Sequence, residues 1–370
     1  MDPNSDDQYI QNRRTMVPNW NLQLVVGPKD VRRLMFRVQS RTVGNASEAL
    51  QQLLSDNPKG RTLREGIHWT IHMPDDDPTG MELAMNIIHR QFHLLPVYIK
   101  TPALYRLVLV CRKYGLTHLL GPWAKVWLSI PSTMIDNASI AFQLIFVAWE
   151  LGEAAVIRYA AVALVFDARL NEEARKPYWL DDEGEVLLTP VDADPDSSSG
   201  NENAQSSSRR SYAQYNTADW SDRIRRTRNQ INDELSHHMR TELDVRKVSD
   251  TYRPPRYLIG WGPDEAEVRC MKAIHQAIKS GLEADPYILR PDRRPGLPNP
   301  TSPNQLVRRM RHLFGQCPVA PSHEGCSPNV GLNMLVAELE KQCYASFLTE
   351  EELEKISQNG QRLDREWHIL

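Results

Sequence analysis

The residues whose types and spacing could do chemistry fall into a few groups, and each has a structural alternative. Asp75, Asp76 and Asp77 stand together and could hold a cation. Pro78 follows them, however. Carboxylates ahead of a Pro-initiated helix cap its unpaired N–H groups and meet the positive end of its dipole. His68 and His72 share one face of an alternating run, yet positions four apart in a strand are separated by about 13 Å, too far for one metal ion. Cys317 and Cys326, with His323 between them, are zinc-compatible types. Their spacing is wider than that of a short Cys-turn-Cys site, and a fourth ligand would have to come from Cys270 or Cys343, so plain thiols are the favoured reading. Arg223, Arg225, Arg226 and Arg228 could meet phosphates, but Asp233, Glu234, Glu242 and Asp244 follow and no aromatic platform is interleaved. The chain has no Gly-x-Ser-x-Gly elbow, phosphate-binding glycine loop, dinucleotide fingerprint or His-Glu-x-x-His pair. No catalytic, cofactor-binding or metal-ligating residue is therefore assigned, and a non-enzymatic protein is expected.

Bulk properties agree with that expectation. The 370 residues are 41% hydrophobic and 25% charged, with a formal net charge of -3 and a pI near 6.4. Neither nucleic acid nor a membrane surface is favoured by such a balance. The 5 cysteines are spread out, which suits a reducing compartment, cytoplasmic or nuclear. The polar N-terminus has no apolar region of a secretory signal. The longest apolar stretch, residues 138–149, falls short of the roughly 20 residues a membrane span needs, so it reads as a buried helix.

The elements that must position any site begin with a hairpin. Residues 22–26 and 34–38 are short apolar runs around the turn cluster Gly27-Pro28-Lys29-Asp30. A short helix follows from Asn45, with Leu50, Leu53 and Leu54 on one face. Residues 68–73 alternate, placing Trp69, Ile71 and Met73 together. A helix capped by Asp77 runs from Pro78 to about His89. The next starts near Thr101-Pro102 and carries Leu104, Leu107, Val108, Cys111 and Tyr114 at helical steps. Leu116, Leu119, Leu120, Trp123, Val126 and Trp127 form the stripe of a further helix. Beyond residue 131 the pattern predicts helices near 140–151, 153–170, 220–248, 264–280, 303–314, 330–347 and 350–357. The acidic, Ser-rich stretch 181–219 is expected to be disordered.

These segments resemble fungal BTB/POZ-domain proteins. The resemblance rests on Met73-Pro74-Asp75-Asp76-Asp77-Pro78, Met85-Asn86-Ile87-Ile88-His89, the stretch Leu107 through Gly115, Pro122-Trp123-Ala124-Lys125-Val126-Trp127-Leu128, and Phe146-Val147-Ala148-Trp149-Glu150-Leu151-Gly152. It spans residues 22–170. The second strand departs from the family pattern, reading Phe36-Arg37-Val38-Gln39-Ser40 where the family has a His. The resemblance implies an α+β BTB/POZ-like domain, a small sheet flanked by helices, followed by a mostly α-helical C-terminal region. The corresponding layout is a disordered N-terminus at 1–19, the BTB/POZ-like domain at 20–130, a helical extension at 131–180, a disordered insert at 181–219 and a helical C-terminal region at 220–370.

What such a family implies is a protein-interaction module or adaptor, either homo-oligomerising or linking a partner to a cullin-type ubiquitin-ligase scaffold. The candidate partner surface is the segment 91–100, with Phe92, His93, Leu94 and Tyr98 as contact residues. Large apolar side chains cluster there, off any regular stripe, and Pro96 forbids a continuous helix. Aromatic anchors favour binding hot spots, although packing back against the core is the more ordinary fate of such side chains. The alternative function is a regulatory nuclear protein contacting nucleic acid through the basic helix at residues 223–228.

Overall fold

The computed structural model describes residues 10–28, 33–56, 69–129, 135, 138–167, 169–171, 178–180, 186–188, 217–246, 265–284, 302–317 and 327–367. The chain is mostly helical, with a small mixed four-stranded sheet near the N-terminus. That sheet contains β1 (Ile10–Thr15), β2 (Leu22–Val26), β3 (Arg33–Val38) and β4 (Trp69–Met73), in the order β1-β3-β2-β4. The anticipated hairpin is present: β2 and β3 pair antiparallel, with Leu22 opposite Val38, Leu24 opposite Phe36 and Val26 opposite Leu34. β4 returns parallel to β2, Leu24 opposite Ile71. A parallel return requires a crossover, and α1 (Ser40–Ala46) and α2 (Glu48–Asp56) lie within it. The alternation anticipated in β4 holds, with Trp69, Ile71 and Met73 buried and Thr70 and His72 exposed.

Helices follow: α3 (Pro78–Ile88), which packs against β3, α4 (Thr101–Lys113), which packs along α3, and α5 (Gly121–Trp127), with 3₁₀ turns at Phe92–Leu94 and Thr117–Leu120. The whole α4 stripe read from the sequence is buried, from Leu104 to Tyr114. α3 and α4 approach so closely that a Cβ on Gly80 would lie 2.4 Å from the Arg106 carbonyl oxygen, so only glycine fits there. The helix expected to carry both Leu116 and Trp127 is instead a 3₁₀ turn followed by α5. Pro122 sits at the start of α5, and Val126 faces outward.

Further on come α6 (Ala138–Leu151), α7 (Ala154–Asp167), a three-stranded sheet of β5 (Arg169–Asn171), β6 (Tyr178–Leu180) and β7 (Val186–Leu188), then α8 (Thr217–Val245), α9 (Glu265–Ala284), α10 (Pro303–Gly315), α11 (Pro328–Ser346) and α12 (Glu350–Trp367). The apolar core is continuous from Leu24 in β2 to Leu363 in α12. α12 returns to the first half of the chain. Asn359 Nδ2 donates to the Trp149 carbonyl at 2.9 Å, and Gly360 abuts Gly152, whose φ of 78° places it in the left-handed region that glycine tolerates.

Three expectations need correction. The N-terminal segment 1–19, expected to be disordered, contains β1, which pairs parallel to β3. Its Asn and Arg side chains concealed it, because an edge strand is held by backbone hydrogen bonds and tolerates polar side chains. The extension 131–180, expected to be helical, contains β5 and β6. The stretch 181–219 contains β7, antiparallel to β6, and the start of α8. Val186, Leu187 and Leu188 are too short a run to signal a strand without the partner that pairs with them. The rest of 181–219 lies outside the described residues.

Candidate functional site

The segment 91–100 begins where α3 stops. The N–H of Gln91 donates to the Asn86 carbonyl at 2.8 Å and that of Arg90 to Ile87 at 3.0 Å. This is the paired bonding of a Schellman ending. Arg90 occupies the left-handed position, at φ 57°, where glycine would be unstrained. His89 turns back, its Nδ1 3.0 Å from the Met85 carbonyl oxygen. Burial pushes its pKa below the ordinary 6.5, and the hydrogen bond to Met85 opposes that only partly.

After this turn the segment is pinned on one side and open on the other. Leu95 is buried, and Trp127 Nε1 donates to the Pro96 carbonyl at 3.1 Å. Gln91 Nε2 donates to the Met16 carbonyl at 2.7 Å, tying the segment to the end of β1. Phe92 lies against Trp123 with centroids 5.3 Å apart, and Trp123 stacks on Trp127 at 5.8 Å. Phe92 is thus partly folded back, while His93 is exposed. Leu94, Val97 and Tyr98 are 54%, 70% and 83% exposed. Beside them is an open cleft of about 590 Å³, walled by the end of β1, the outer face of α3 and this segment.

The other residues singled out in the sequence take structural positions. Asp77 caps α3, its Oδ1 accepting from Gly80 N at 2.8 Å. Asp76 is buried and accepts from Lys113 Nζ and Tyr114 Oη, each at 2.6 Å. Burial, followed by the neighbouring Asp76 charge, pushes the Tyr114 hydroxyl well above its usual range, so it stays a donor. No local pattern announces this clamp between the β4–α3 turn and the end of α4, because Asp76 lies far along the chain from Lys113 and Tyr114. The Asp cluster therefore splits between a cap and a clamp, leaving Asp75 exposed.

Among the arginines, Arg223 Nη1 donates to the Phe347 carbonyl and to Glu352 Oε2, both at 2.8 Å. Burial works against the Glu352 charge, but hydrogen bonds from Arg223 and Thr349 hold its carboxyl below the usual range. Arg228 is fully buried, in line with Ile224, Ile231, Leu235 and Met239. Arg225 and Arg226 face outward. Cys317 is buried, its thiol directed at the Leu313 carbonyl. His323 and Cys326 lie outside the described residues, as does His68. Among the described residues no group of three or more His, Cys, Asp or Glu side chains converges as a metal site would, and no helix is long and apolar enough to cross a membrane.

Compared with known proteins, the chain matches no family model, no curated protein and no solved structure.

Proposed function

We propose that the chain is a protein-interaction adaptor built on a BTB/POZ-like module, which self-associates or links a partner to a cullin-type scaffold. The observation that carries this reading is the two-sided segment 91–100. Trp127 and Gln91 hold its backbone in place, while Leu94, Val97 and Tyr98 are displayed to solvent. Rigid display of large apolar side chains is what a binding hot spot needs, because little ordering entropy remains to be lost on association. The order hairpin β2–β3, helices, β4 parallel to β2, helices also suits the module.

Sedimentation of the purified chain and calorimetric titration with a purified cullin scaffold test the proposal. Self-association or scaffold binding is expected, and Tyr98→Ser should abolish it at an unchanged melting temperature. A strictly monomeric chain that binds no scaffold, or binding indifferent to Tyr98→Ser, would remove the reading.

A further inference from the structure

The cleft beside the 91–100 segment has a charge pattern as well as an apolar wall. Its wall is made by Met16, Leu83, Leu94, Pro96, Tyr98 and Ile99. Its ionic groups are Arg14, Glu82 and Lys100. Glu82, the sole carboxylate among the lining residues, is already taken by Arg14 Nε at 2.8 Å. Lys100 is exposed, just before α4 begins. Arg90, next in sequence to the lining residue Gln91, is also exposed. Arg14 and Glu82 offset each other, so the lining residues offer an apolar floor with the net positive charge of Lys100 at its edge, on a chain whose net charge is -3.

We propose that this cleft is the docking groove for a partner segment that carries a large apolar anchor flanked by carboxylates. The inference rests on the adaptor reading and names the chemistry of what the adaptor holds. The anchor would lie between Leu94 and Tyr98, removing apolar surface from water. A flanking carboxylate would face Lys100, which speeds encounter and selects against basic segments more than it adds affinity. A second copy of the chain fits less well, because an isologous contact here would set Lys100 against its own copy.

The test is fluorescence anisotropy of the full chain with three pools of short labelled peptides. One pool is acidic with Leu and Tyr, one is basic with Leu and Tyr, and one is acidic with Ser in place of the apolar residues. The first pool is expected to bind at least about tenfold more tightly than the other two, a difference of about 1.4 kcal/mol. Salt should weaken that binding, and Lys100→Glu or Tyr98→Ser should reduce it by a similar factor while the melting temperature stays unchanged. Equal binding of all three pools, no effect of Lys100→Glu, or equally effective competition by a single-stranded oligonucleotide would overturn the proposal. If Tyr98→Ser abolishes scaffold binding or self-association while the acidic–apolar pool does not bind, the adaptor reading stands and this inference alone falls. If no partner or peptide binding depends on Tyr98, both fall.

Discussion

The segment 91–100 and helix α8 both looked like places where this chain could meet a partner, and they resolve in opposite directions. In the segment, apolar side chains that a core could have absorbed remain outside, with Tyr98 the most exposed of the large apolar side chains among the described residues. In α8, arginines that solvent could have absorbed turn inward, Arg223 to Glu352 and Arg228 into the core. The difference lies in what each backbone is tied to. The segment is held at a few points, the Pro96 carbonyl, the Gln91 side chain and buried Leu95, so Leu94, Val97 and Tyr98 need not serve as anchors. α8 is held by its side chains: Trp220 meets Trp149 and Phe347 edge-on and donates to Glu352, and the arginines share that work.

Removing the anchor of the segment should have the largest effect. Trp127 is 2% exposed and carries both the core packing of α5 and the hydrogen bond to Pro96. Trp127→Ala is expected to cost about 3–5 kcal/mol, a large share of a typical domain's stability of about 5–15 kcal/mol, read as a lower urea midpoint. An unchanged midpoint would mean that the segment is not held as described. Next in size is Arg223→Ala. Loss of its charged hydrogen bonds to Glu352 and Phe347 should cost about 1.5–3 kcal/mol in a denaturant titration. If the substitution left stability intact and instead weakened salt-sensitive binding of DNA, α8 would belong with the exposed surfaces after all.

A smaller effect should come from pH. His89, at the root of the segment, and His238, in α8, both have pKa values depressed by burial, with Glu242 opposing the shift at His238. The unfolded chain then takes up protons before the folded one does. Their contribution to stability is complete above the ordinary 6.5 and declines as pH falls from there through the folded-state values. The urea midpoint should fall between neutral and mildly acidic pH, and His89→Gln should flatten part of that slope. A His89→Gln slope identical to the parent's would show that the imidazole is not held neutral by its surroundings.

Much of the sheet and of the helices that follow it was legible because their residues follow a period. The alternation Trp69, Ile71, Met73 and the α4 stripe each report a single buried face, and the structure buries those residues. What was illegible depends on partners distant in sequence. β1 is polar and is held by β3, β7 is three residues long and is held by β6, and Asp76 becomes a buried acceptor only because Lys113 and Tyr114 reach it. A run of arginines likewise does not disclose that Arg228 falls on the inner stripe of α8. The candidate partner segment was recognisable from its composition, but the difference between its two aromatic residues was not, since it depends on Trp123, which lies beyond α4 and a 3₁₀ turn.

That difference supplies the smallest expected effect and the sharpest separation. Phe92 and Tyr98 are equivalent as sequence, yet Phe92 touches the Trp123 ring while Tyr98 is 83% exposed. An aromatic pair adds about 0.5–1.5 kcal/mol beyond the area it buries, so Phe92→Ser should lower stability measurably and mix folding with any loss of binding. Tyr98→Ser removes little that the folded chain uses, and substitutions at such surface positions stay within about 0.5 kcal/mol. Its melting temperature should therefore match the parent's. Thermal melts of the two single variants, side by side, decide the matter: a clear drop for Tyr98→Ser would mean that the ring packs against the chain in solution, and the segment would then be another part of the core rather than a surface held ready for a partner.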